Sequence, residues 1–125
     1  MTTTGRTEPV SSIVAQQLGK CFGDDIRAVD ALDLSVPQGT TYALLGPNGA
    51  GKTTTIAMLT TLAEPTSSSA RISGFDVVRE AAQVRRQIGV TFQEMVLDEA
   101  LSGRQVLDYH GRLYGMPASE RRSRI

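Results

Sequence analysis

The chain has 125 residues, 40% of them hydrophobic, and thirteen basic side chains balance thirteen acidic ones. This composition predicts a soluble globular unit long enough to bury a core, and the balanced charge gives no electrostatic reason to expect nucleic acid or anionic lipid as a partner. The single cysteine, Cys21, excludes an internal disulfide and is interpreted as a small buried residue of a protein in a reducing cytosol.

Neither a membrane span nor a signal peptide is expected. No apolar run approaches the roughly eighteen residues that a span requires. Residues 1–12 read MTTTGRTEPVSS, which is polar and lacks the apolar segment of a signal peptide. They are predicted to form a flexible tail, and residues 13–125 to form the folded part.

The first third of the folded part is predicted to be antiparallel. Residues 13–45 contain three short apolar stretches separated by turn residues at 23–25 and 37–39. In the second stretch Leu32, Leu34 and Val36 alternate with polar residues, as in a half-buried strand. The run TYALL at 41–45 is predicted to be a central strand covered on both faces.

Helices and short strands are predicted to alternate from residue 52 onward. Apolar residues at 56, 59, 62 and 63 have helical spacing, and Pro65 ends that helix. A brief strand is predicted at 70–73, a helix at 80–87 and a buried strand at 88–92 that ends in Gln93. A last helix at 104–114 carries the only histidine, His110, interpreted as structural, and is closed by residues 115–117.

Residues 46–54 read GPNGAGKTT and match the P-loop pattern of phosphate-binding proteins. Glycines allow positive φ values and bring successive N–H groups around phosphate oxygens, next to the positive end of the following helix. Lys52 adds a mobile charge for β- and γ-phosphates, and the Thr53 hydroxyl can ligate Mg²⁺. The alternative, a glycine-rich turn capping an ordinary helix, needs neither side chain. The predicted binding residues are Gly46, Pro47, Asn48, Gly49, Ala50, Gly51, Lys52, Thr53 and Thr54.

With these pieces in this order, residues 14–116 resemble the nucleotide-binding subunit of ABC transporters, specifically bacterial exporters of the daunorubicin-resistance type. The resemblance implies an α/β fold, a P-loop NTPase (RecA-like) ABC ATPase core with an N-terminal antiparallel β-subdomain. It runs through LDLSV at 32–36, LLGPNGAGKTTT at 44–55, MLTTL at 58–62, EPT at 64–66, GFDV at 74–77, VRRQIG at 84–89, FQE at 92–94, LDE at 97–99 and RLYG at 112–115.

The resemblance also implies roles outside the P-loop, with ATP and Mg²⁺ as cofactors. Phe22 falls where the family stacks an aromatic ring, usually tyrosine, on adenine; alternatively it packs beneath the sheet. Gln93 falls at the Q-loop glutamine, which helps to hold Mg²⁺ and the attacking water; alternatively it is an ordinary surface residue. Lys52 and Gln93 are thus the implied catalytic residues, Thr53 and Gln93 the implied metal ligands. Ser68 stands where glycine is common.

Several parts of the family pattern are missing from the 125 residues. After Gln93 the family has an LSGGQ segment, an apolar strand ending in aspartate, a catalytic glutamate and a switch histidine. Residues 101–105 read LSGRQ, but they follow Gln93 too closely and are interpreted as the stretch where relatives have LTGRE. The chain is therefore expected to be a partial nucleotide-binding domain, truncated before these segments and inactive as an ATPase alone.

Three functions remain open from the sequence. The resemblance implies the ATP-binding subunit of an exporter of drug-like or lipid-like substrates, acting as a homodimer with a separate membrane permease at the cytoplasmic face of the membrane. The alternative is a catalytically incompetent nucleotide-binding fragment from a truncated or frameshifted gene. A small P-loop kinase would need lid arginines and an acceptor site, and the antiparallel start argues against it.

Overall fold

A computed structural model describes residues 11–23, 25–91 and 100–125, in two compact units, Met1–Val90 and Thr91–Ile125. Most of the predicted tail lies outside the described residues, and positions 11 and 12 already belong to the first strand. The first unit contains β1 Ser11–Phe22, β2 Ile26–Pro37, α1 Lys52–Leu59, β3 Ser67–Ile72, β4 Phe75–Asp76 and α2 Ala81–Gln87. The second contains α3 Gly103–Leu113 and α4 Ala118–Arg124. None of these helices combines the length and apolar character of a membrane span.

The strands of the first unit form one antiparallel sheet in the order β2-β1-β3-β4. In the β1–β2 hairpin Leu34 lies opposite Ala15, and Leu32 lies opposite Leu18. The alternation predicted for β2 is confirmed, because Leu32, Leu34 and Val36 are partly or fully buried while the polar residues between them are exposed. One face of the hairpin therefore points into the core.

Helices α1 and α2 contribute to a single hydrophobic core with the sheet. Met58 and Val84 are fully buried there, and Thr55 on α1 is only 4% exposed. The core residues are Ala15, Leu18, Val29, Met58, Ala70, Ile72, Val77 and Val84. Burial of Thr55 and Met58 anchors α1, which follows the P-loop, on the sheet.

Helix α1 is shorter than predicted. It ends at Leu59. Of the four apolar residues with helical spacing, Leu59 and Ala63 pack against the core, but Ile56 and Leu62 are 49% and 63% exposed. The Thr60 hydroxyl donates to the Ile56 carbonyl oxygen at 2.8 Å, and Thr61 adopts a φ of 62°. A threonine that bonds the preceding turn, followed by a left-handed residue, ends the helix before Pro65 is reached.

The strand predicted at 41–45 is absent from the described structure. Leu45 is 88% exposed, Tyr42 is 55% exposed, and the segment pairs with none of the four strands. Residues 88–91 likewise form no strand, while Phe92 and Gln93 lie outside the described residues. Both predictions rested on apolar runs, but a strand also needs a neighbour for its backbone hydrogen bonds.

Strand β3 begins three residues earlier than predicted and contains an irregularity. Ser68 has a φ of 58°, opposite a register shift between Gln16 and Gly19 of β1. Left-handed backbone favours glycine, the residue that the resemblance leads one to expect at this position. Serine therefore carries local strain at this irregularity of β3.

Asp76 organises the turn after β4. Its carboxylate accepts hydrogen bonds from the backbone N–H groups of Val78 and Arg79, both at 2.9 Å, and from the Ser69 hydroxyl at 2.7 Å. These bonds, that of Arg79 foremost, lower the pKa of Asp76. The ionised carboxylate thus ties β3 to the segment that starts α2.

In the second unit, Ser102 caps α3. Its hydroxyl accepts from the Gln105 N–H, and the Gln105 side chain accepts from the Ser102 N–H, so two residues of the LSGRQ stretch form a capping box. Asp108 on α3 binds Arg121 of α4 at 2.8 Å and Arg112 at 2.7 Å, which lowers the pKa of Asp108. Gly115, at a φ of 69°, follows the predicted helix end. The structure thus gives the LSGRQ stretch a role in starting a helix.

Candidate functional site

The P-loop residues form a compact turn leading into α1. The Ala50 N–H donates to the Pro47 carbonyl oxygen at 3.2 Å, and Gly49 and Gly51 have φ values of 84° and 81°. Gly51 is the N-cap of α1, and its carbonyl oxygen accepts the first helical bond, from Thr55, at 2.8 Å. The two glycines therefore supply the left-handed conformations that curl the loop over the helix start.

The backbone donors of this turn are the basis for anion binding. Among residues 48–54, six N–H groups donate to no backbone or side-chain acceptor within the described part of the chain. They belong to Asn48, Gly49, Gly51, Lys52, Thr53 and Thr54. Successive unpaired N–H groups at the positive end of a helix attract phosphate oxygens, so this donor set fits the phosphate groups of a nucleotide.

Lys52 folds back across the same loop. Its Nζ donates to the carbonyl oxygens of Gly46 and Pro47, each at 2.7 Å. An ammonium group carries three N–H donors, so one remains for a phosphate oxygen while the other two hold the side chain in place. The loop therefore concentrates a full positive charge and the unpaired amides in one place.

The loop rests directly on β2. A Cβ atom on Gly51 would overlap the Ala28 carbonyl oxygen and lie 3.1 Å from Val29 Cγ2. A Cβ atom on Gly49 would meet no atom within 4 Å. Gly51 is therefore required both for its φ and for its contact with the strand, whereas Gly49 is required only for its φ. No local sequence signal identifies Ala28 as the partner, because it lies far back along the chain.

Phe22 is the last residue of β1, next to the turn that connects β1 and β2. It pairs with Ile26, and the two side chains are 48% and 64% exposed. Ile26 precedes Ala28 by two residues, or about 7 Å along the strand. The exposed ring is therefore paired with a residue two positions before Ala28, on which the P-loop rests.

Lys20 lies beside this ring, and this contact was not predicted from the sequence. Its Nζ is 5.1 Å from the centroid of the Phe22 ring. The available signal was its position two residues before Phe22, because alternate residues of a strand share a face.

A pocket of about 260 Å³ adjoins the hairpin end, bounded by Lys20, Cys21 and Arg27 among others. Cys21 is a half-buried free thiol here, so it is less buried than predicted. Arg27 is paired with Asp30 at 3.0 Å. That hydrogen bond, with smaller contributions from Cys21, raises the pKa of Arg27. The guanidinium charge therefore persists at any relevant pH.

The predicted metal ligands are only partly described. Thr53 is exposed at the second position of α1, and its hydroxyl has no hydrogen-bond partner among the described residues. No group of three or more histidine, cysteine or acidic side chains that could hold a metal ion occurs in residues 11–23, 25–91 and 100–125. A hydroxyl oxygen suits Mg²⁺, so Thr53 fits as one ligand of a metal held mainly by phosphates. Gln93 lies outside the described residues.

The P-loop, its donor set and the antiparallel sheet beside it define the class of this protein, a P-loop nucleotide-binding domain. The family profile described as ABC transporter matches residues 29–124. The chain belongs to the ABC transporter family.

Known relatives support the same family and its fold. The chain is 48% identical over 118 residues to the daunorubicin/doxorubicin resistance ATP-binding protein DrrA of Streptomyces peucetius, covering 94% of this chain and 36% of that protein. It is 46% identical over 114 residues to the daunorubicin resistance ATP-binding protein DrrA3 of Streptomyces coeruleorubidus, covering 91% and 36%. A solved ATP binding subunit of an ABC transporter superposes with a TM-score of 0.76 at 27% identity, over 88% of this chain and 45% of that one.

These matches confirm the predicted fold class, an ABC ATPase core of the P-loop type with an N-terminal antiparallel β-subdomain. They also show that the chain spans about a third of the length of the relatives it matches.

Proposed function

We propose that this chain is the ATP-binding part of an ABC-type exporter subunit, and that it binds ATP with Mg²⁺ at the P-loop. The observation that carries the proposal is the convergence of six unpaired N–H groups and the Lys52 ammonium on one exposed turn. Hydrolysis and export, with the partners that they require, are proposed for a full-length subunit, because the relatives are about three times as long as this chain.

The triphosphate is the part of ATP for which the donors are suited. The unpaired amides at 48, 49 and 51–54 would bind the phosphate oxygens, and Lys52 would direct its third N–H toward the β- and γ-phosphates. Lys52 would thereby stabilise the charge that develops when the γ-phosphoryl group is transferred.

The adenine would stack on Phe22. Its ring is 48% exposed, which favours stacking over burial beneath the sheet. Ile26, exposed and paired with Phe22, would extend the apolar surface under the base. Stacking uses the π face and therefore needs no tyrosine hydroxyl.

The Thr53 hydroxyl would be one ligand of Mg²⁺, and the bound metal would neutralise part of the phosphate charge. Gln93 is proposed, from the family likeness, to help hold the metal and orient the attacking water. In this proposal Lys52 and Gln93 are the catalytic residues of the full subunit.

The partners follow from the same likeness. The named relatives are resistance ATP-binding proteins for daunorubicin and doxorubicin. We infer a drug-like or lipid-like cargo, a second copy of the nucleotide-binding subunit and a separate membrane permease. The subunit would then lie at the cytoplasmic face of the membrane.

Replacing Lys52 with alanine tests the phosphate site. Lys52→Ala removes the one full charge bonded across the loop, and a charge-assisted hydrogen bond of about 1.5–3 kcal/mol corresponds to at least a roughly tenfold loss of affinity. Titration with a fluorescent ATP analogue measures this loss, with Arg79→Met as a control that removes the same charge from the turn before α2. Equal dissociation constants for wild type and Lys52→Ala would refute the assignment.

A further inference from the structure

The chain contains only two lysines, Lys20 and Lys52, and both lie beside the proposed nucleotide site. Lys52 belongs to the P-loop, while Lys20 is on β1 and its Nζ lies 5.1 Å from the centroid of the Phe22 ring. An ammonium group at this distance is attracted by the electron-rich face of the ring. Lys20 therefore occupies one face of the ring that is proposed to stack on the base, which leaves the opposite face for the base.

A second contact fixes the Lys20 ammonium independently of the ring. The Nζ donates to the Glu64 carbonyl oxygen at 2.7 Å. Glu64 belongs to the loop after α1, and this loop is itself tied to β1. The Thr66 N–H donates to Gly19, and the Cys21 N–H donates to the Thr66 hydroxyl oxygen at 3.1 Å. A long, flexible side chain is thus held between a backbone carbonyl and an aromatic face.

We propose that Lys20 is a positioning residue for nucleotide binding, because it holds the Phe22 ring in the orientation that receives the base. This inference rests on the proposed function. An aromatic side chain that is 48% exposed at a strand end would otherwise lose rotamer freedom when the base binds. Because Lys20 contacts one face of the ring, the Phe22 side chain is already ordered in the folded protein. The entropy that it would otherwise lose on binding no longer weakens the affinity for nucleotide.

The role proposed for Lys20 differs from that of a charge for phosphate. A phosphate-binding lysine would affect every polyphosphate, whereas a residue acting through Phe22 affects only ligands that carry a base. Tripolyphosphate, which has no base, separates the two roles. Lys20→Met keeps an aliphatic stem of similar length without the charge, and Lys20→Arg keeps a cation that can lie over the ring.

The contact itself can be measured without nucleotide. With lysine labelled by ¹³C, the two ε-methylene groups give two resonances, and ring current should move that of Lys20 upfield of that of Lys52. Phe22→Leu should abolish the displacement. If the Lys20 resonance is the same in wild type and Phe22→Leu, Lys20 does not contact the ring and the proposal is wrong.

The consequence for binding is measured with ATP and tripolyphosphate. Lys20→Met should weaken ATP about two- to fivefold, as expected for an exposed cation–π contact, and should leave tripolyphosphate unchanged. Lys20→Arg should restore most of the ATP affinity. In a Phe22→Leu background, Lys20→Met should cause no further loss, because the two residues act as one unit. Arg79→Met, which removes the same charge from a side chain with no hydrogen bond in the described structure, should change neither ligand.

Other results would overturn the proposal in distinguishable ways. Additive losses in the double variant, or equal losses of ATP and tripolyphosphate affinity, would show that Lys20 acts by its charge alone. Should Lys20→Met unfold, the Lys20→Arg titration and the resonance comparison decide between contact and no contact. Wild-type protein that binds neither ATP nor tripolyphosphate would refute the proposed function itself, whatever the resonances show.

Discussion

Gly49 and Gly51 provide a matched pair for testing how the P-loop is built. Both have left-handed backbone, at φ values of 84° and 81°, so alanine at either position introduces strain of about 1–2 kcal/mol. Part of this is offset because alanine restricts the unfolded chain, by about 0.4–1 kcal/mol. Gly49→Ala adds nothing else, since its Cβ would meet no atom within 4 Å. Its net cost should be about 1 kcal/mol.

Gly51→Ala should cost more than Gly49→Ala. Its Cβ would overlap the Ala28 carbonyl oxygen and lie 3.1 Å from Val29 Cγ2, so the loop or β2 must shift. Overpacking of this kind typically adds about 1–3 kcal/mol. Urea denaturation of both variants measures the difference, and ATP titration should show the larger loss for Gly51→Ala. Equal unfolding free energies would refute the contact between the P-loop and β2.

Two further predictions concern the metal and an acidic side chain. Thr53→Val is nearly isosteric and removes the hydroxyl, so it should weaken ATP several-fold with Mg²⁺ and have no effect in EDTA; an equal loss in both would exclude a metal role. Asp76→Asn should cost about 1 kcal/mol near neutral pH, because the ionised carboxylate accepts three hydrogen bonds. Since its pKa is lowered in the folded state, that stability is present above about pH 4, the unfolded value, and lost as pH falls through the folded pKa. Urea midpoints that differ by the same amount at pH 7 and pH 2 would contradict this.

The elements predicted correctly are those whose signals are local. In β2 the alternation of Leu32, Leu34 and Val36 is sufficient, because it requires only one covered face. Helix α3 is predicted within one residue at each end, and Gly115 follows its end as predicted, whereas the Ser102 cap was not predicted. The P-loop follows from residue types whose conformational demands are narrow. The positive φ values of Gly49 and Gly51 agree with those demands, whereas Gly46 is not left-handed.

The elements predicted wrongly depend on partners that sequence does not display. The apolar run at 41–45 has strand composition, yet within the described residues no strand pairs with it, and Leu45 remains exposed. The end of helix α1 is determined less by apolar spacing than by Thr60, whose hydroxyl donates to the Ile56 carbonyl oxygen in the last turn. Such competition between side chain and backbone is decided by geometry and is hard to predict from composition.

The long-range contacts around the site have a common consequence for nucleotide binding. Gly51 rests on Ala28 of β2, and Lys20 of β1 is bonded to Glu64, which follows the P-loop helix. The β1–β2 hairpin therefore holds the P-loop, the loop after α1 and the ring of Phe22 together. A ligand that spans the loop and the ring would meet two elements whose separation is set by folding, so little ordering is left for binding to bring about. For that reason we expect the affinity of ATP to exceed that of tripolyphosphate by the full stacking contribution of Phe22, about 1–3 kcal/mol. Equal affinities would mean that base and triphosphate do not bind at the same time.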